Sequence, residues 1–234
     1  MYSFTSRVRY SEVDINRRLD LSGIINYFQD CTTFQSEDLH VGIDYMNEMN
    51  CAWMLSSWQI IVDRNPVFGE SITTSTWAYD FDSMFGYRNF TITDESNAIC
   101  AYANSIWILV DTNTGHPIKL NETNTSAYPL QDRIDMDYAP RKIKIPSTLQ
   151  EGKPISVVNS FLDTNNHVNN GQYIKMAEEF LPEDFVIHEM RADYRISALL
   201  GDTIIPKYRL SDKECIVTLC RTDGKPYAII QFIA

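Results

Sequence analysis

The chain is predicted to be an α+β protein built twice over, each half a curved antiparallel β-sheet wrapped around one helix. Three observations predict this. Each half reads in the same order: a strand, a polar turn, an amphipathic helix, then a run of strands. Asp14 and Asn16 recur as Asp163 and Asn165, an offset of 163 − 14 = 149 at which Leu19 matches Val168 and Arg18 stands where His167 stands. Further on, Phe68-Gly69-Glu70-Ser71-Ile72 is echoed by Leu200-Gly201-Asp202-Thr203-Ile204.

In the first half, Phe4 to Tyr10 reads as a strand and Val13 to Asp20 as a polar turn. A helix follows, because Ile24, Tyr27, Phe28, Cys31 and Phe34 form one stripe, with Ser22 as its cap and Gly42 beyond its last turn. Strand-like runs come next at Trp53 to Val62, Ser71 to Tyr79, Phe85 to Thr93 and Ala98 to Asp111, divided by Asn65-Pro66, Asp82-Ser83 and Asp94-Glu95-Ser96. This half is assigned to residues 1–115. Residues 116–150, rich in Asn, Thr, Asp, Lys and Pro, are the expected linker.

The second half, 151–234, opens with an expected strand from Ile155 to Leu162, carrying Val157, Val158, Phe161 and Leu162. Gln172 to Leu181 reads as its helix, with Tyr173, Met176, Ala177 and Phe180 recurring at helical spacing and Pro182 as the stop. Strands are expected at Val186 to Ser197, Thr203 to Leu210, Glu214 to Arg221 and Pro226 to Ile233, the last two joined by the hairpin signal Asp223-Gly224.

Composition narrows the function. The formal net charge of −11 argues against nucleic acid and against an anionic membrane surface. Arg141-Lys142-Ile143-Lys144 and Arg17-Arg18 are local basic exceptions. No apolar run approaches the ~20 residues of a membrane span. The start lacks a signal-peptide layout, so the five unclustered cysteines are expected to be reduced thiols in a cytoplasmic protein, with no metal spacing among them. No cofactor is expected, and whether the chain forms a homodimer is left open.

The chemistry concentrates in the turn between the Ile155 strand and its helix, Asp163-Thr164-Asn165-Asn166-His167-Val168-Asn169-Asn170. Asn and Asp are common in turns for purely conformational reasons, because they bond their own main chain. A carboxylate and an imidazole within four residues, next to a carboxamide and a helix N-terminus, can also activate water and hold an oxyanion. Asp163 and Asn165 point the same way if the backbone between them is extended. Asn169 or Asn170 is placed to cap the helix. His40, His116 and His188 have no such context, and no Gly-x-Ser-x-Gly elbow for a covalent nucleophile exists.

The order of Asp163, Asn165, His167, Val168, Asn169, Asn170 and Tyr173 resembles the signature of acyl-acyl-carrier-protein (acyl-ACP) thioesterases. The likeness extends through Trp58-Gln59-Ile60-Ile61-Val62, Pro66, Gly69-Glu70, Thr76-Trp77, Gly86-Tyr87-Arg88-Asn89-Phe90 and Ser105-Ile106-Trp107. It implies a double hot-dog fold, hydrolysis of fatty acyl-ACP to free fatty acid, acyl carrier protein as the partner, and Asp163, Asn165 and His167 as active-site residues. The family's catalytic Glu, four residues before a Gly-Asp pair, falls on Ser197 here, since the pair is Gly201-Asp202. Asp193, four residues away on the same expected strand, is about 13 Å off at ~3.3 Å per residue. Three outcomes stay open: Asp163 as base with Ser197 placing the water, a carboxylate from elsewhere, or an acyl binder that does not hydrolyse. The first is favoured; acyl-CoA as the substrate is the nearer alternative.

Overall fold

The structure, a computed structural model, describes residues 1–234, apart from the side chains of residues 122 and 123. The chain divides into two compact units, Met1–Ser56 with Ile60–Ala139, and Ser57–Gln59 with Pro140–Ala234. The boundary at Ala139 falls inside the stretch 116–150.

The first unit contains β1 (Tyr2–Arg7), α1 (Leu21–Asp38), α2 (Ile43–Glu48), β2 (Cys51–Val62, less the three residues assigned to the second unit), β3 (Ser71–Phe81), β4 (Phe85–Asp94), β5 (Ile99–Asp111) and the short α3 (Glu122–Thr125). Its sheet runs β1-β3-β4-β5-β2. The register is antiparallel, with Phe4 opposite Thr74, Thr74 opposite Ile92 and Phe90 opposite Ala103. α1 buries Ile24, Ile25, Tyr27, Phe28 and Cys31, as its periodicity requires. The Phe28 and Phe90 rings lie 5.1 Å apart, and the Cys31 thiol donates to the Thr74 carbonyl of β3 at 3.5 Å.

The ends of α1 depart from expectation. Its cap is Asp20, whose Oδ1 accepts from the Gly23 N–H at 2.6 Å, and Ser22 is buried inside the first turn. The helix closes through Leu39 and the left-handed His40 (φ 59°), while Gly42 instead starts α2. Phe34 is 45% exposed at the edge of the stripe. Gln35 is buried in its place because Arg88 is buried too: the guanidinium donates to Gln35 Oε1 and lies 5.4 Å over the Tyr128 ring. Burial pulls the Arg88 pKa down to about 10. Residues beyond β5 are packed rather than tethered, since Trp77 Nε1 donates to the Asp132 carbonyl at 2.9 Å and Tyr138 Oη to Asn89 Oδ1 at 3.0 Å.

The second unit contains β6 (Gln150–Glu151), β7 (Ile155–Ser156), α4 (Asn170–Glu178), β8 (Glu189–Tyr194), β9 (Thr203–Leu210), β10 (Glu214–Cys220) and β11 (Pro226–Ile233). The sheet order is β8-β11-β10-β9-β6, with β7 also on β9. α4 packs on β10 and β11 through a face that buries Tyr173, Ile174, Met176 and Ala177. Two expected strands are shorter than read. Ile155 to Leu162 is strand only to Ser156, because a 3-10 turn at Asn159–Phe161 breaks it. Val186 to Ser197 is strand only over Glu189–Tyr194, because the Arg195 and Ile196 N–H groups both turn onto the Tyr227 carbonyl. Apolar runs gave both expectations, and such runs do not mark where pairing stops.

The internal duplication is written in hydrogen bonds. The Val8 N–H donates to the Glu70 carbonyl at 2.9 Å, and the Val157 N–H to the Asp202 carbonyl at 2.9 Å. Ser6 pairs with Ile72 as Ile155 pairs with Ile204. Gly69 (φ 83°) and Gly201 (φ 84°) make the same left-handed turn, which a side chain at either would strain. The first partners are offset by 157 − 8 = 149 and the second by 202 − 70 = 132.

One ion network distinguishes the first unit. Arg64 Nη2 reaches Glu70 Oε1 at 2.6 Å and Asp94 Oδ2 at 2.7 Å. Cys100 brings a third ligand-type atom close, but the guanidinium already compensates the two carboxylates. The hydrogen bond from Arg64 holds the Glu70 carboxyl below its usual range, and bonds from Ser96 and then Arg64 do the same for Asp94. A carboxylate with a depressed folded pKa contributes stability above its unfolded pKa of ~4 and loses it as pH falls through the folded value. Arg64→Gln is therefore expected to lower the melting temperature at pH 7. Its melting curve should approach that of the parent as pH drops below about 4, measured by circular dichroism across pH; parallel curves at all pH values would count against the network.

Candidate active site

The polar turn of the second unit is held by its own first side chain. Asp163 Oδ1 accepts from the Asn165 N–H at 2.8 Å and the His167 N–H at 3.2 Å, while the Asp163 N–H donates to the His167 carbonyl at 2.8 Å. Asn166 takes the left-handed conformation (φ 60°) that closes the loop. Asp163 and Asn165 therefore do not share an extended segment. The carboxylate is directed inward at the turn, and Asn165 is exposed at its tip. The imidazole of His167 is half-buried. Asn169 then caps α4, its Oδ1 accepting from the Gly171 N–H at 2.8 Å. His167 thus sits three residues before a helix start, at the positive end of the α4 dipole, where the Gly171 and Gln172 N–H groups are taken up by Asn169.

The same scaffold exists in the first unit without the imidazole. Asp14 Oδ1 accepts from the Asn16 N–H at 2.8 Å and the Arg18 N–H at 2.9 Å, and Arg17 (φ 60°) occupies the left-handed position. Leu19 donates to the Pro66 carbonyl at 2.7 Å as Val168 donates to the Ala198 carbonyl at 3.0 Å. Beyond that bond the copies part. In the first, the Phe68 N–H donates to the Arg17 carbonyl at 2.8 Å and Arg18 bridges Val67, so the turn is closed against the following loop. In the second, no bond among the described residues joins Asn166 or His167 to Leu199 or Leu200. The edge beside the imidazole is left unzipped, and both leucines are about half exposed.

Ser197 lies on the loop that leaves β8, not on a strand. Its neighbour Ala198 is buried and fixed at both backbone groups: its carbonyl takes the Val168 N–H, and its N–H donates to the Tyr173 hydroxyl at 2.9 Å. A continuous chain of bonds therefore runs from α4 through Tyr173 and Ala198 to the residue after His167. Burial, with the Ala198 bond opposing it, pushes the Tyr173 hydroxyl up to about 12, so it stays protonated. In the sequence Tyr173 belongs both to the apolar stripe of the helix and to the motif around His167; its hydroxyl, which a Phe would lack, is the signal for this bond.

Asp193 is not a substitute for the missing Glu. It is fully buried, paired with Arg195 at 2.5 Å, and accepts from the Ile143 N–H at 3.4 Å. The next residue, Tyr194, donates to the Asn170 carbonyl at the start of α4. Adjacent strand residues face opposite sides, so Asp193 faces away from the helix and its turn. His40, His116 and His188 are exposed at a helix end, a turn and a chain entry. In the first unit, Trp53, Phe81, Gly86, Arg88, Trp107 and Tyr128 line a hollow of about 30 Å³, room for roughly one water or methyl group.

Two sets of variants test this geometry. Asp14→Ala and Asp163→Ala should each cost about 1–2 kcal/mol in chemical denaturation, since each leaves two turn N–H groups without their acceptor. A neutral result at both positions would remove the scaffold role. Tyr173→Phe should keep the melting temperature within a few degrees yet lower any turnover about tenfold at unchanged KM. An unchanged kcat would show that the Ala198 bond does not position the site.

Residues 1–128 match the acyl-ACP thioesterase N-terminal domain, and residues 146–214 match the acyl-ACP thioesterase C-terminal domain. Among relatives, the chain is 23% identical over 206 residues to a palmitoyl-acyl carrier protein thioesterase, chloroplastic, of Gossypium hirsutum, covering 82% of this chain and 50% of the relative. It is 22% identical to the oleoyl-acyl carrier protein thioesterase 1, chloroplastic, of Arabidopsis thaliana, covering 84% and 60%. The chain thus spans about half the length of these relatives. Among solved structures, an acyl-ACP thioesterase from Bacteroides thetaiotaomicron superposes with a TM-score of 0.90 at 24% identity, covering 99% of this chain and 96% of that one. The 12:0-ACP thioesterase from Umbellularia californica superposes with a TM-score of 0.86 at 18% identity, with 99% and 96% covered. These likenesses bear out the expected double hot-dog fold class.

Proposed function

This chain belongs to the acyl-ACP thioesterase family, and we propose that it hydrolyses fatty acyl-ACP thioesters to free fatty acid and holo-ACP through the turn around His167. The observation that carries the proposal is the asymmetry of the two copies. An identical Asp-held scaffold occurs twice, and only the second copy pairs it with an imidazole and an unzipped edge.

In the proposed reaction Asp163 has two tasks. Oδ1 fixes the turn, and Oδ2, which takes no part in the turn's bonds, accepts the proton of a water placed with help from Ser197. The water oxygen attacks the thioester carbon, and the new oxyanion is met by the positive dipole end of α4 and by the Asn165 carboxamide. Collapse breaks the carbon–sulfur bond, the imidazolium of His167 delivers a proton to the leaving thiolate, and the proton taken up by Asp163 returns to His167 to reset the site. No covalent acyl-enzyme is required. Free, buried cysteines support a reducing, cytoplasmic setting, and no helix among the described residues is long and apolar enough to cross a membrane.

Ser197 in the position of the family Glu keeps a second reading in play, an acyl-ACP binding protein without turnover. Rates on matched acyl-ACP and acyl-CoA thioesters separate the readings. Turnover with preference for the ACP thioester is expected, equal rates would assign the carrier to CoA, and stoichiometric capture without release would make it a binder. His167→Ala should lower kcat about 10²–10⁴-fold with the fold intact. Asp163→Asn keeps the Oδ1 acceptor but not the charge, and it should lose about 10²-fold or more, whereas Asp14→Asn should be neutral. Full activity in Asp163→Asn would reduce Asp163 to a turn residue.

A further inference from the structure

The first copy of the turn carries side chains that its own conformation does not favour. Position 17 is left-handed, as is its counterpart Asn166, but holds an arginine where asparagine suits the backbone better. Position 15 matches Thr164 and holds an isoleucine that is 98% exposed. The fold asks for neither residue, since the second copy builds the same hydrogen bonds without them.

Around Ile15 these side chains form one surface. The Tyr10 and Phe68 rings meet edge-on with centroids 6.0 Å apart, and Tyr10 is 79% exposed. Phe68 bonds to Arg17, and Val67 bridges Arg18, both of them half-exposed apolar residues. Arg9, Arg17 and Arg18 are exposed, and Arg17 and Arg18 have no ion-pair partner among the described residues. The nearby acids are engaged: Glu12 takes the Tyr27 hydroxyl and the Arg9 N–H, and Asp14 holds the turn. Two guanidiniums without ion-pair partners, Arg17 and Arg18, therefore stand beside an exposed apolar cluster on a chain of net charge −11, while the charges of Glu12 and Asp14 are tied into local bonds. The other basic run differs, because Ile143 is buried against Ile216 and Ile229 and pins it to the second unit's sheet.

We propose that this patch, centred on Ile15 with Arg17 and Arg18, is a docking surface for an acidic acyl carrier protein; the proposal rests on the acyl-ACP reading above. Cations rimming an apolar centre match a small acidic partner with apolar side chains on its surface. Such a partner meets only charges within a Debye length of about 8–10 Å, whereas an anionic bilayer also faces the acidic remainder of the chain and is repelled by it. The same patch on a second copy would set arginine against arginine.

The test uses the full chain and fluorescently labelled holo-ACP. Anisotropy should show salt-sensitive binding that weakens about tenfold or more in Arg17→Glu/Arg18→Glu and several-fold in Ile15→Ser, all with unchanged melting temperatures. In steady-state hydrolysis of acyl-ACP, the charge-reversed variant should raise KM with little change in kcat. Equal holo-ACP binding by all variants overturns the proposal. So does patch-dependent binding to phosphatidylglycerol vesicles in place of holo-ACP, or a dimer in sedimentation that dissociates in Ile15→Ser while holo-ACP binding is unaffected. Patch-dependent holo-ACP binding without any acyl-ACP turnover would uphold the surface and reject the hydrolase reading. Turnover indifferent to the patch would do the reverse.

Discussion

The structure of the site depends on one interaction, a carboxylate oxygen accepting two N–H groups of its own turn. Asp163 Oδ1 gathers the Asn165 and His167 amides, and this fixes where the imidazole leaves the backbone and the direction in which α4 starts. Charge-assisted bonds of this kind are among the stronger local ones, and they form within five residues, at little entropic cost. Everything further out is added to that knot. Val168 is tied to Ala198, Ala198 to Tyr173, and Tyr173 to the helix that the knot itself orients.

The first unit serves as an internal control. It repeats the knot, the left-handed residue, the helix cap by a residue at the same offset and the pairing of the preceding strand. Because the scaffold is common to both, whatever separates the copies lies in side chains and in the next rung of backbone bonds. The first copy adds the Phe68–Arg17 bond and closes; the second keeps its edge free beside His167. A duplicated turn can thus keep one hydrogen-bonded scaffold while its side chains and its next backbone bonds diverge.

Burial of polar groups follows a similar logic away from the turn. Arg88 and Gln35 are buried as a pair, and Asp193 is buried with Arg195 and the Ile143 amide. Each is tolerable only because its partner is present. The pairing also has a geometric consequence: a carboxylate tied to Arg195 on the far face of β8 does not face the turn around His167.

The sequence alone determined the repeated order of elements, the faces of α1 and α4, most of the strands and the turn that holds the candidate chemistry. These are local properties: side-chain period, turn residues and a fixed offset between two stretches of one chain. The cap of α1 is less local: Ser22 and Asp20 can each accept an amide, and only the helix start makes Asp20 the one that does. Tertiary structure decided the rest. The Ile155 and Val186 strands end early because Asn159–Phe161 and Arg195–Ile196 find other partners. The carboxylate of Asp163 turns inward because the loop N–H groups converge on it, and the turn is tied to Ala198, 30 residues along the chain from Val168, by a bond that no local pattern announces. Contacts between distant residues leave no period in the sequence, so they become visible only when the chain has closed upon itself.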